Sequence, residues 1–483
     1  MSGLKIVMVA SEMTPFAKTG GLADVVGALP RALAARGNEV MVIMPKYNSI
    51  NADMALFHSP MGVWMGGAQE WCSVYKSMTG DVPVYFIEHN NYFGRDGLYN
   101  DSYMNEYGDN PKRFSFLSRA AMQFCIDMNY SPDVFHCNDW QTSLIPYYLS
   151  TWNFAGTPIE RSSSVLTIHN MAYQGNFSTE SLGYMGINYR DFTFDKFEQH
   201  GRINMLKGGI HYADAVNTVS PTYAREVTSG QGYGLDLKLL EKGDRFFGIL
   251  NGADYSVWNP ETDRKIKARY SKDDMKGKWL CKGSLQECMS LETNYTSPVF
   301  GIVGRFTSQK GYNLVAAIAE KLMEETSIQL AVVGSGDKDL EGHFSWLASK
   351  YHGRFGCYIG FNDKLAHIVE AGSDFFLMPS LFEPCGLNQI YSLKYGTLPI
   401  VRNTGGLSDT VENCNEELRT GTGFKFNEFT PEALYGTIMW VLHLYRTRPD
   451  LMEIMRRNAM SADFSWDRSA GEYEKMYETA TGR

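Results

Sequence analysis

The sequence predicts an α/β protein built from two doubly wound Rossmann-like domains that face a central cleft. Three observations carry this reading. The chain has 483 residues, too many for one ordinary core, so two domains of roughly 200 residues are expected. Short, largely apolar runs alternate with segments of helical periodicity, the pattern of a parallel sheet covered on both faces. The pattern then starts afresh after Asn251 to Asp263, "NGADYSVWNPETD", whose Gly, Asn and Pro content reads as a hinge.

In the first half, "LKIVMVA" is a buried strand. Gly20 to Arg36 has helical periodicity, with Leu22, Val25, Val26, Leu29 and Leu33 on one side and Gly37 as its stop, and "NEVMVIMP" is the next strand. Further strands are expected at "VPVYFIE", "DVFHCN", "SSVLTIH" and "AVNTVS". The loop from Asn90 to Pro111, rich in Gly, Asn, Asp and Tyr, is suited to carry binding residues. The second half repeats the plan. "SPVFGIVGRF" leads to a helix from about Gly311, and "IQLAVVGSG" to a helix from about Lys338. "GCYIGF", "DFFLMPS" and "TLPIVRN" follow, and the chain becomes helical after about Pro431. The expected domains are 1–250, 251–460, and a last helix, 461–483, that returns to the first domain.

Composition narrows the function. With 45 Lys+Arg against 54 Asp+Glu, a formal charge of −9, the chain lacks the overall basic balance of a nucleic-acid or anionic-membrane binder. Eight cysteines form no C-x-x-C pair and no zinc spacing, and read as reduced thiols of a cytoplasmic protein. The N-terminal apolar run is too short for a signal peptide, and no stretch of about 20 apolar residues marks a membrane span. No G-x-G-x-x-G fingerprint follows the first strand, because Gly20 and Gly21 are adjacent, and no P-loop or G-x-S-x-G is present. "DKD" at Asp337 to Asp339 has the look of a metal motif but sits where a helix cap belongs. No metal or other cofactor is expected.

One octet pattern occurs twice. T-G-G-L-x-D-x-V spans Thr19 to Val26, including Gly20, Gly21 and Asp24, and again Thr404 to Val411, including Gly405 and Gly406. Each copy follows a strand and opens a helix, where glycines allow a tight turn and free N–H groups attract an anion. Lys18 precedes the first copy. "GRFTSQKG" places Arg305 and Lys310 after a strand, a fork and a point charge suited to a diphosphate. "FEPCGLNQIY" sets Glu383 just before Gly386 at a helix start, placed to take sugar hydroxyls or to act as a helix-dipole partner. His169, after an apolar strand, is open to two readings, a substrate hydrogen bond or a satisfied core histidine. Asp139 in "HCNDW" carries the same ambiguity.

Together these residues resemble the bacterial glycogen synthase and plant starch synthase family, retaining glucosyltransferases of the GT-B fold. K-T-G-G-L, H-N-x-A-Y-Q-G, N-G-x-D, S-Q-K-G, E-P-C-G-L and K-Y-G-T-x-P all match in order along the whole chain. The resemblance implies transfer of glucose from ADP-glucose to the non-reducing end of an α-1,4-glucan such as glycogen or a maltooligosaccharide. It implies Arg305 and Lys310 on the diphosphate, and Glu383 on the donor glucose with Cys385, Gly386 and Leu387 around it. It also implies Thr404, Gly405 and Gly406 against diphosphate and nucleotide, with Lys18, Tyr99, Asp139, His169, Asn170 and Asn251 approaching from the first domain. A wider set of related transferases carries a second Glu eight positions after the first; here Tyr391 stands there, at the edge of the substrate site. A UDP-sugar transferase with a small acceptor and an inactive nucleotide-sugar or glucan binder are the alternatives.

Overall fold

The computed structural model describes residues 3–103 and 105–483; Met1, Ser2 and Met104, part of the N-terminal run and of the Asn90 to Pro111 loop, lie outside the described residues. The chain forms two compact units. The first comprises the residues up to Gly252 together with Trp466–Arg483, and the second Ala253–Ser465. No described helix is long and apolar enough to cross a membrane.

The first unit is built on a nine-stranded sheet. Its strands are β1 (Lys5–Val9), β2 (Glu39–Pro45), β3 (Ala55–Met65), β4 (Ala68–Thr79), β5 (Val82–Glu88), β6 (Val134–Asn138) and β7 (Ser163–Ile168), then β11 (Ala215–Thr218) and β12 (Phe246–Gly248). Between them β8 (Asn176–Phe177), β9 (Glu198–Gln199) and β10 (Arg202–Asn204) make a separate three-stranded sheet. The order across the large sheet is β12-β11-β7-β6-β1-β2-β5-β4-β3. From β12 to β5 every pairing is parallel. The central strands β1, β2, β6 and β7 are short and nearly all buried, as a sheet covered on both faces requires.

One edge departs from the wholly parallel sheet expected. β4 runs antiparallel to both β5 and β3. The turn between β3 and β4 is Gly66-Gly67, both at positive φ (+54° and +89°), the geometry that two-residue hairpin turns need. The hairpin is half exposed, so its residues lack the continuous apolar run that marks the central strands. At the end of the chain the helix Trp466–Thr481 buries Trp466, Ala470, Tyr473, Met476 and Tyr477 in the first unit's core.

The second unit holds β13 (Val299–Phe306), β14 (Gln329–Gly336), β15 (Phe355–Ile359), β16 (Phe375–Met378), β17 (Leu398–Arg402) and β18 (Phe424–Phe426). Their order, β15-β14-β13-β16-β17-β18, is parallel throughout. This is the dinucleotide-fold order, whose direction reverses between the first and fourth strands. Here that point lies between β13 and β16, and the first unit reverses in the same way between β1 and β6. Ligands of open α/β sheets bind beyond the carboxyl ends of the strands at such points.

Candidate active site

In the second unit the residues after β13, β16 and β17 converge. Lys310 ends a short turn after β13, and its Nζ lies 2.6 Å from Oε2 of Glu383. Ser380 at the end of β16 donates to the same oxygen at 3.0 Å. Glu383 is only 5% exposed, so its charge is balanced inside the protein rather than by bulk water. Arg305 is exposed, and its guanidinium has no hydrogen-bond or ion-pair partner among the described residues.

The E-P-C-G-L and T-G-G-L segments are tied to each other through their backbones. The N–H of Gly406 donates to the carbonyl of Glu383 at 3.0 Å, and a β-carbon at Gly406 would stand 2.2 Å from the carbonyl oxygen of Cys385. Gly386 has φ +74°, a left-handed conformation that favours glycine. Leu387 then caps the helix Asn388–Lys394. Gln389, which the sequence reading did not single out, donates to the carbonyls of Cys385 and Gly386 and to Oγ1 of Thr410, closing the same loop pair. Thr404 is buried, at 1% exposure, at the start of the helix Gly405–Thr410. The ring of Tyr391 stacks on Trp258 at 4.1 Å and 4°, and Trp258 stacks on His367 at 3.7 Å.

In the first unit the glycine loop after β1 differs from the expectation. The N–H groups of Thr19 and Gly20 are not free for an anion. Both donate to the carboxylate of Glu12, which also takes the Thr19 hydroxyl at 2.6 Å and the Tyr99 hydroxyl at 2.6 Å. Glu12 thus supplies an internal anion at the start of the helix Gly21–Ala35. Burial first, and then the Glu12 charge, hold the Tyr99 phenol well above its ordinary range. Lys18 pairs with Asp24 at 2.7 Å. Burial raises the Asp24 carboxyl, and the Lys18 ammonium opposes the rise.

Asp139, just after β6, has φ +54° and ψ −171°, a conformation that costs an L-residue about 1–3 kcal/mol and is held only where surroundings impose it. Its carboxylate accepts the backbone N–H groups of His169, at 2.7 Å, and of Asn170. Burial pushes Asp139 up to about 7, against those two donors. It therefore fixes the segment that leaves β7. His169 is 9% exposed, its Nε2 lies 3.0 Å from Oδ1 of Asn138, and burial lowers its pKa to about 3. Asn170 turns its own side chain back to accept from the N–H of Ala172. Asn251, after β12, is buried, and its Oδ1 has no partner among the described residues. A buried acceptor left without a donor costs about 1–3 kcal/mol.

Among the described residues no group of three or more His, Cys, Asp or Glu is placed to hold a metal ion. Asp337 of "DKD" caps a helix, accepting from the N–H groups of Asp339 and Leu340.

Residues 5–241 match the family described as starch synthase catalytic domain, and residues 289–460 match glycosyl transferases group 1. "Glycogen synthase 1" of Geobacter sulfurreducens is 45% identical over 99% of this chain and 96% of its own. The Treponema denticola protein named glycogen synthase is 43% identical, over 99% of this chain and 98% of its own. Among solved structures, the catalytic domain of starch synthase IV from Arabidopsis thaliana, bound to ADP and acarbose, superposes with a TM-score of 0.91 at 32% identity, covering all of both chains. With this identity over nearly its full length and the two Rossmann-like units of a GT-B fold, the chain belongs to the glycogen synthase and starch synthase family of glycosyltransferases.

Proposed function

We propose that this cytoplasmic enzyme transfers glucose from ADP-glucose to the non-reducing end of an α-1,4-glucan with retention of configuration. The observation that carries the reading is the cation–carboxylate group at the strand reversal of the second unit, where Lys310 pairs with Glu383 and the Arg305 guanidinium has no partner among the described residues. Breaking the glycosidic bond leaves negative charge on the departing ADP and positive charge on the glucose ring. The Arg305 fork and the Lys310 ammonium meet the first, and Glu383 the second, as fixed charges that need no reorganisation. Cys385, Gly386 and Leu387 frame the sugar, and Thr404, Gly405 and Gly406 let the backbone come close to the diphosphate.

In the first unit, His169, Asn170 and Asn251 are assigned to substrate, whereas Glu12 takes the N–H of Gly20 and the hydroxyl of Tyr99. Retention by double displacement would need a carboxylate nucleophile, and Tyr391 stands where a wider set of related transferases has a second Glu. The acceptor hydroxyl therefore replaces ADP on the same face of the sugar. The new C1–O4 bond forms as the C1–phosphate oxygen bond breaks with its electron pair, and the acceptor proton passes to that phosphate oxygen. Glu383→Gln tests the assignment. Turnover should fall at least about 100-fold, the scale of losing one transition-state electrostatic contact, while donor affinity changes little. Near-normal turnover in a folded variant removes Glu383 from the catalytic set.

A further inference from the structure

Strands β6 and β7 place His136, Asn138, Thr167 and His169 on one face, because alternate residues share a face. They form two cross-strand pairs. Nε2 of His136 lies 2.6 Å from Oγ1 of Thr167, and Nε2 of His169 lies 3.0 Å from Oδ1 of Asn138. The second pair has only one consistent arrangement of protons. Nδ2 of Asn138 faces the backbone carbonyls of Val9, at 3.1 Å, and His136, at 3.4 Å. Carbonyls only accept, so the amide nitrogen must point at them and the amide oxygen at the imidazole. A reversed amide would set oxygen against two oxygens in a site where Asn138 is fully buried. Nε2 of His169 must then carry the proton.

We infer that Asn138 is a positioning residue that fixes His169 as the Nε2–H tautomer, so that Nδ1 presents its lone pair to a hydroxyl of the sugar. The burial that keeps this ring neutral leaves no second proton to occupy Nδ1. No described residue bonds Nδ1. Asp139 holds the backbone N–H of His169, so the ring is fixed by one residue and its main chain by the next. His169 is then an acceptor for a hydroxyl donor, and at neutral pH it has no proton on Nδ1 to give. The assignment rests on the reading of His169 as a residue that meets substrate.

The test uses the full chain labelled with ¹⁵N-histidine, without ligand, at neutral pH. The His169 signal is identified by its loss in His169→Gln. The wild type should show a protonated Nε2 and an unprotonated Nδ1. His136, held by its own partners, serves as the internal reference. Asn138→Leu should turn the His169 signal into a mixture of tautomers and lower kcat about ten-fold, the scale of one hydrogen bond. A wild-type ring protonated at Nδ1 overturns the inference whether or not the variants fold. An unchanged tautomer and rate in Asn138→Leu overturn it as well. Full turnover in His169→Ala would overturn the substrate contact. That failure is distinct, because the tautomer is read on ligand-free protein and needs no activity.

Discussion

At Gly406 the backbone of one loop lies against the carbonyl of Cys385 in another, and only a hydrogen atom fits between them. Gly406→Ala must push the two loops apart, at a cost of about 1–3 kcal/mol for an overpacked site. The denaturation midpoint of the second unit should drop accordingly, and an alanine variant of wild-type stability would contradict the close approach. Lys18 offers a milder case. A charge-assisted hydrogen bond contributes about 1.5–3 kcal/mol, so if its ammonium turns from Asp24 to the donor, Lys18→Ala lowers kcat/KM about ten- to hundred-fold. Unchanged kinetics with ADP-glucose would leave Lys18 a surface ion pair. Cations and carboxylates beside glycine turns, such as Arg305, Lys310 and Glu383, were legible because residue type and strand-end position coincide. Glu12 and Asn138 were not. The role of Glu12 depends on a hydroxyl 87 positions away, and that of Asn138 on which carbonyls its amide faces.

The two T-G-G-L loops show how far an element can be read from its sequence. Each joins a strand to a helix, β1 to Gly21–Ala35 and β17 to Gly405–Thr410. The first is held by a buried carboxylate and the second by a backbone carbonyl, a difference that lies outside the motif. Glu12→Ala should strip Thr19, Gly20 and Tyr99 of their shared acceptor. The first unit should lose about 1–3 kcal/mol, seen in urea unfolding, and an unchanged midpoint would show that water replaces the carboxylate. The β3–β4 hairpin was missed although Gly66-Gly67 marked its turn, because its exposed strands do not repeat the apolar signal of the central sheet. Strands β6 and β7 carry a pH dependence. His136 and His169 are pushed down to about 3, so between about pH 4 and 6 the unfolded chain binds protons that the native rings refuse. Stability falls on acidification by about 1.4 kcal/mol per pH unit for each histidine. Asp139, pushed up to about 7, keeps a proton natively where the unfolded carboxyl has lost it, and offsets one histidine. Asp139→Asn should therefore steepen the loss of stability on acidification between about pH 4 and 6 by about 1.4 kcal/mol per pH unit. A slope no steeper than wild type would refute the assignment.

On the scale of the whole molecule, the chain order and the folding units do not coincide. The last helix, Trp466–Thr481, belongs to the first unit. Within it Tyr477 bonds His136 at 2.8 Å, Ser469 bonds the carbonyl of Leu250 at 2.7 Å, and Glu474 pairs with Arg36 at 2.8 Å. Each large apolar side chain it buries contributes about 1.5–3 kcal/mol, against a total domain stability of about 5–15 kcal/mol. A chain ended after Ser465 should therefore lose the first unit's fold while the second unit persists. Limited proteolysis with mass spectrometry should leave a core within 253–465, and protection of the N-terminal half would contradict the division. The central claim is a retaining glucosyl transfer that depends on the cations and carboxylate of the second unit. The most direct measurement supplies ADP-[¹⁴C]glucose and a maltooligosaccharide to the wild type and to Arg305→Ala, Lys310→Ala and Glu383→Gln. Label should enter α-1,4-linked product that β-amylase releases as maltose, and each folded variant should incorporate it at least about ten-fold more slowly, the effect of losing one charged contact. Absence of labelled glucan from the wild type, or variants as fast as the wild type, would contradict the account.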